Sequence, residues 1–417
     1  MALLTLFVVS LFNYIDRSLL SILQVPIKQD LGLTDAQLGA LTGLSFALFY
    51  ATAALPLARL VDRYRRTWLM AAALTAWTAM TALSGFATSF AMLVVCRIGV
   101  ALGEAGSVPA THSLLSDLYP LRRRGSVFAL WALASPLGVM LGVFAGGWLS
   151  EELGWRRSFV VVGLAGMLLT PVLLLMREPQ RGRFDAAPQT DLRPPPLGVA
   201  LRDLARRRSF RLLVIGVTLQ TFAYTAALNW SPPFLARVHQ LPLGEVALWS
   251  ALIIGLGGGG GAFAGGTIVD LLARRDRRWY GWAPAAAMLL SVPFALAQFL
   301  APDAPSAIAI GFVAAFLAGF YVAPVNATAQ SMVSPAIRGL TSAILLLVPT
   351  IFGVGLGPFL TGLASDVLTT RLALGDEALR YALCLAVMPS IPAGLCLLTM
   401  ARTIGADLYT QSEEAAQ

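Results

Sequence analysis

Hydrophobic residues run along this 417-residue chain in blocks near twenty residues long, separated by short polar joints. Each block is long enough to cross a hydrocarbon core ~30 Å thick as a helix. Twelve can be delimited, at about 2–24, 37–58, 67–87, 91–116, 125–149, 157–176, 210–235, 246–272, 280–300, 306–331, 338–366 and 379–401. Lipid leaves no partner for an unpaired backbone group, so apolar blocks of this length predict helices. The expected fold is all-α and integral to the membrane, with twelve transmembrane helices. The first block has no basic leader and no small-residue cleavage site, and it contains Asp16 and Arg17. It reads as span one rather than as a signal peptide.

The longest polar stretch, 177–209, lies near the midpoint and contains "EPQRGRFDAAPQTDLRPPPLG". Proline and arginine make it a solvated connector, and "LGVALRDLARR" within it can form an amphipathic surface helix. Six spans lie on either side, which predicts an N-terminal bundle (1–176), a linker (177–209), a C-terminal bundle (210–405) and a tail (406–417). The two halves resemble each other. "ARLVDRYRR" (58–66) corresponds to "GTIVDLLARR" (266–275), "RRGSVFA" (123–129) to "IRGLTSA" (337–343), and "GVMLGVFAGGWLS" (138–150) to "GVGLGPFLTGLAS" (353–365). Three matches in one order, at offsets of 208 to 215, indicate a duplicated six-helix unit. The glycine run "GLGGGGGAFAGG" (255–266) is expected to permit close packing of span eight.

Composition agrees with this plan. Hydrophobic residues make up 57% of the chain and charged residues 12%, against about 25% charged in soluble domains. The net charge of +8 does not mark a nucleic-acid binder, because the basic residues follow the membrane. Joints on one side hold 21 of them, among them Arg59, Arg63, Arg65, Arg66, Arg122, Arg123 and Arg124; those on the other hold six. By the positive-inside rule both termini are cytoplasmic, in a multi-pass protein of the plasma (inner) membrane. The three cysteines fall within spans, and the residues offer no metal site, cofactor site or catalytic constellation. A membrane-embedded enzyme is therefore not expected.

Charges inside the spans carry the chemistry. In "FNYIDRSLL" (12–20), Asp16 lies about 14 residues, or roughly 21 Å, into span one. Span four runs the opposite way, which brings Arg97 to the same level in a core ~30 Å thick. Adjacent residues on a helix face apart, so Arg97 is the expected partner of Asp16 in preference to Arg17. Glu104 follows Arg97 by seven residues on the same face, and Asn13 shares a face with Asp16. Asn13, Asp16, Arg17, Arg97 and Glu104 are thus expected to form one polar cluster between spans one and four. Aligning "LGLTDAQLG" (31–39) with "LPLGEVALW" (241–249) places Ala226 and Ala227 opposite Asp16 and Arg17. The C-terminal half then offers uncharged polar groups: Gln220, Tyr224, Asn229 and Trp230 in span seven, and Tyr321 and Asn326 in span ten.

The chain resembles the major facilitator superfamily over essentially its full length. "LARLVDRYRR" matches that family's loop signature at Asp62, Arg63 and Arg66, with Ala58 and Arg65 where glycines are usual. The resemblance implies a cytoplasmic gate at Asp62, Arg63 and Arg66, with Asp270 as the repeat's counterpart. "RIGVALGEAGSVPATHSLLSDLYPLRRRG" (97–125), "FNYIDRSLL" and "NWSPPFLARVHQL" (229–241) resemble the spinster, or sphingolipid-transporter-like, group, and the first two also resemble organic anion:cation symporters. In "GVFAGG" (142–147), Val143 stands where the family's antiporter signature has proline.

These resemblances imply a secondary transporter, driven by the proton gradient and without a cofactor. Spinster relatives imply an amphiphilic, lipid-like anion of lysolipid or sphingoid-phosphate type. A proton symporter for small carboxylates is the second reading, and a scramblase or sensor the third. Asp16 and Glu104 are the expected proton-coupling carboxylates, because burial and a nearby guanidinium displace a carboxylate's titration in opposite directions. Arg17 and Arg97 are the expected counter-ions or headgroup anchors. Protons, membrane lipids and the substrate are the expected partners, with no nucleic acid, and the chain is expected to act as a monomer.

Overall fold

Each apolar block becomes a helix, because only the helix pairs every amide and carbonyl within its own segment. The structure is a computed structural model. It describes residues 2–182, 184, 196–334 and 337–407, the side chains of Leu55, Asp62 and 405–407 excepted. The described residues contain helices and no strand. Eleven helices are long and apolar enough to span: Ala2–Leu31, Asp35–Ala54, Phe90–Leu118, Leu121–Leu153, Trp155–Leu175 and Arg208–Arg237, then Leu243–Ala273, Trp279–Phe299, Ala304–Ser331, Arg338–Leu372 and Glu377–Ile404. These are spans one, two, four to six, and seven to twelve. Span three is the helix Arg66–Ser84, whose threonines and tryptophans dilute its apolar character. A short amphipathic helix, Leu197–Arg206, precedes span seven and buries Ala200 and Leu204. The rest of the linker, at 183 and 185–195, and the tail from 408 lie outside the described residues.

Local sequence sets where the helices begin and end. Gly32 follows the end of span one with φ +63°, a conformation that costs glycine little. Thr34 then opens span two with a capping box, its hydroxyl accepting from the Gln37 amide while Gln37 accepts from the Thr34 amide. Ser89 and Asp303 cap spans four and ten in the same way, each accepting a backbone N–H with its side chain. Spans two, eight and eleven each contain a widened turn, at Ala40–Leu44, Ile253–Gly258 and Pro349–Gly355. The first two are 213 residues apart, which agrees with the register of the duplication.

Contacts group the chain into two compact units. The first holds Met1–Gln189, Asn229–Gly255 and Pro358–Leu379; the second holds Thr190–Leu228, Leu256–Gly357 and Arg380–Gln417. In the first, Leu6, Val9, Leu74, Trp77, Leu114 and Leu173 are fully buried in one core. In the second, the core is built on Leu213, Met288, Ala329, Met332, Leu397 and Ile404. The glycine run packs as expected. A Cβ at Gly261 or Gly265 would overlap the carbonyl oxygens of Phe316 and Phe320, so span eight lies against the backbone of span ten.

Candidate functional site

The first unit gathers four charged side chains at one level of its bundle. Arg17 Nε donates to Glu104 Oε2 at 2.6 Å, and Glu104 is fully buried. Asp16, 4% exposed, accepts from the Thr81 hydroxyl of span three at 2.6 Å. Arg97, 7% exposed, reaches the Arg17 carbonyl with Nη2 at 3.4 Å. Asn13 is buried one turn before Asp16 and lies beside Glu104. All five residues expected to cluster do cluster.

Their pairing differs from the expectation. The ion pair is Arg17–Glu104. Among the described residues neither Asp16 nor Arg97 has an ion-pair partner within 4.0 Å, although each is in the other's field. Arg17 has a side chain long enough to reach span four from its own face. Asp16, with a short one, turns to span three instead. Arg97 Nε, Glu104 Oε1 and Asn13 Nδ2 are buried and close no hydrogen bond within the protein.

Aromatic rings line the cluster, and sequence reasoning missed them. The Arg17 guanidinium lies 4.7 Å from the ring centres of both Phe46 and Tyr50 on span two, and 5.6 Å from Tyr14. Arg97 lies 4.9 Å from Phe46. Phe46 and Tyr50 stack on each other, four residues apart on one face. That i, i+4 spacing, at a depth near Arg17, was the available signal. A small cavity beside the cluster is lined by Asp16, Leu41, Thr81, Ser84, Arg97 and Phe159, with room for about one water.

The uncharged polar residues scatter. In the second unit Gln220 is buried and donates weakly to the Ala318 carbonyl at 3.4 Å, while Tyr321 bonds Thr221 at 3.2 Å. Tyr224 is half-buried beside Gly258. Asn326 is exposed and donates to the Val322 carbonyl of its own helix. Asn229 and Trp230 belong to the first unit. The Asn229 carbonyl accepts from Gln24, and fully buried Trp230 donates to the Pro358 carbonyl, so its polar tip is already satisfied.

Two further charge clusters occupy opposite ends of the first unit. At the end bearing the loop between spans two and three, Arg66 is fully buried and paired with Asp117 of span four and with Glu178. Glu178 also accepts from the amides of Arg66 and Thr67, which caps span three. Burial opposes the charge of Glu178, but these hydrogen bonds prevail and hold its carboxyl below the usual carboxylate range. Of the expected gate, Arg66 lies in this network and Arg63 is exposed. Asp270 accepts weakly from Tyr280 at 3.4 Å, and the side chain of Asp62 is outside the described residues. At the other end Asp35, 1% exposed, accepts from Lys28, Arg237 and Ser365, while Asp366 accepts from the amides of Asp35 and Ala36. Neither Asp117, Glu178 nor Asp35 was singled out from the sequence.

Spanning helices, an internal repeat and ionisable side chains buried among the described residues are the marks of a polytopic membrane transporter. The chain belongs to the Major Facilitator Superfamily, whose family model matches residues 6–358. Within it the chain is spinster-like. A solved structure described as a bacterial homolog of the human lysosomal transporter Spinster, inward-facing and unoccupied, superposes with a TM-score of 0.90. It is 28% identical, and the match covers 98% of each chain. An MFS-type efflux pump of Mycolicibacterium smegmatis is 35% identical over 91% of this chain and 87% of its own. Protein spinster homolog 1 of Homo sapiens is 29% identical over 96% and 80%. A probable L-galactonate transporter of Escherichia coli is 29% identical over 66% of this chain and 62% of its own length. The protein is a transporter and not an enzyme.

Proposed function

We propose that the protein couples proton movement to the transport of an amphiphilic, lipid-like anion by alternating access, as a monomer with both termini in the cytoplasm of the inner membrane. The observation that carries the reading is the set Asp16, Arg17, Arg97 and Glu104, three of them buried, gathered at one level of the first unit. Ionisable groups inside a membrane are costly and are retained where they serve a pathway. Asp16 and Glu104 exchange the proton, and Arg17 and Arg97 hold the anionic headgroup. The rings of Tyr14, Phe46 and Tyr50 give the guanidinium an apolar wall, which suits a ligand with a charged head and a hydrocarbon body. Arg66 with Asp117 and Glu178 holds the cytoplasmic end, and the cluster around Asp35 the opposite one.

A small carboxylate is the second reading, supported by the L-galactonate relative and by two guanidiniums suited to a carboxylate. Thermal shift with lysophosphatidic acid, sphingosine phosphate and L-galactonate separates the two. Stabilisation by the lipids alone supports the first, and by galactonate alone overturns it. Uptake of the stabilising compound into proteoliposomes is expected to follow an imposed pH gradient. Asp16→Asn and Glu104→Gln are each expected to abolish that dependence. If both variants keep it, proton coupling through this cluster fails, and uptake indifferent to the gradient from the outset indicates scrambling.

A further inference from the structure

Thr81 is 1% exposed, and its hydroxyl has one proton and two acceptors in reach. Asp16 Oδ2 lies at 2.6 Å and the Trp77 carbonyl, one turn back on span three, at 3.0 Å. Thr78, three residues earlier, shows the ordinary state of a threonine in a membrane helix. It bonds the Leu74 carbonyl at 2.7 Å and meets no carboxylate. The Thr81 contact with Asp16 is shorter than its own back-bond, so the carboxylate is the nearer of the two acceptors.

We infer that Thr81 is the positioning residue that ties the protonation state of Asp16 to span three. While Asp16 is ionised, the Thr81 hydroxyl donates to Oδ2. When Asp16 takes a proton from water, its own O–H donates to Thr81 Oγ1, and the threonine proton turns to the Trp77 carbonyl. The Thr81 proton has an acceptor in either state, so the exchange costs little. The charged groups facing Asp16 are Arg97 and Glu104 from span four and Arg17 from its own helix. Span three contributes Thr81 and Ser84, span two Leu41 and span six Phe159, none of which carries charge. The cavity shared by Asp16, Thr81, Ser84 and Arg97 gives the proton a polar approach.

The inference rests on the reading that Asp16 carries the transported proton, and one titration tests them separately. Purified protein is titrated while the infrared carbonyl band of protonated carboxyl groups is followed; the Asp16 component is the one lost in Asp16→Asn. In Thr81→Val, which keeps the side chain's shape, that component is expected to persist to a pH higher by about one unit, the difference between a hydrogen bond to the ionised carboxylate and one to the protonated group. Thr81→Ser is expected to restore the original midpoint, and Thr81→Ala serves if the valine variant folds poorly. Valine and alanine variants that both titrate as the unchanged protein overturn the inference and leave proton carriage by Asp16 standing. A titration that Asp16→Asn does not alter overturns both.

Discussion

Arg66→Met is expected to lower the apparent melting temperature in detergent by several degrees and to reduce transport severely. The guanidinium is fully buried and donates to Asp117, Glu178, Ser113 and the Pro179 carbonyl. Removing one member of such a network leaves two carboxylates uncompensated, a loss on the order of 3 kcal/mol. Arg66→Lys keeps the charge but not the planar fork, so it is expected to recover only part of the loss. The same network predicts a pH dependence. The carboxyl of Glu178 is held below its usual range, so its contribution is complete above the unfolded-state titration. It is lost as the pH falls through the lower, folded value. Thermal melts carried from neutral pH to below the ordinary glutamate value of about 4.3 are expected to show a stability that falls only in the acidic part of the range, and that Glu178→Gln flattens. A melting temperature unchanged in Arg66→Met would remove the network from the fold's supports.

The Arg17–Glu104 pair is expected to separate stability from activity. Arg17→Met strands a fully buried carboxylate, and Glu104→Met strands a guanidinium held among aromatic rings. Each single change is expected to cost about 3–5 kcal/mol. The double change removes both charges and is expected to regain most of that stability, because an apolar pair can replace a buried ion pair. Transport is expected to remain lost in all three, by more than a hundredfold in proteoliposomes. A double variant that transports would reduce the pair to a lock between spans one and four.

The arrangement of this site was partly legible in the sequence. Counting residues at 1.5 Å each from the ends of spans one and four puts Asp16, Arg17 and Arg97 at one level, and the structure keeps them together. Depth is a one-dimensional quantity that the sequence carries directly. Pairing depends on azimuth and side-chain reach, and there the sequence was silent. Arg17 can swing across to Glu104; Asp16 cannot, and meets Thr81. Span three was passed over because nothing charged lies at that depth, yet a hydroxyl suffices to hold a carboxylate. Asp117 and Glu178 carried no distinguishing signal, because Asp62, Asp203, Asp270 and Asp276 lie among the arginines of the same joints. Trp230 has an amphipathic side chain, but its indole N–H is spent on Pro358. The twelve helices were legible throughout, and even span three, too rich in threonine to pass on hydropathy, holds its place in the order.

The four-charge set also fixes an accounting of charge. Two carboxylates and two guanidiniums sum to zero, so the cluster is neutral within a single unit when both carboxylates are ionised. With proton and substrate carried in the same direction, one proton takes the cluster to plus one, and one monoanion returns it to zero. A protein loaded with both carries no net charge across the membrane, and the electrical potential does no work on that step. Uptake of a monoanionic substrate is therefore expected to respond to a pH difference and to ignore a potassium diffusion potential of either sign. A dianionic headgroup would make the same cycle voltage-sensitive, and the electrical response would reveal the valence of the substrate before its structure is known.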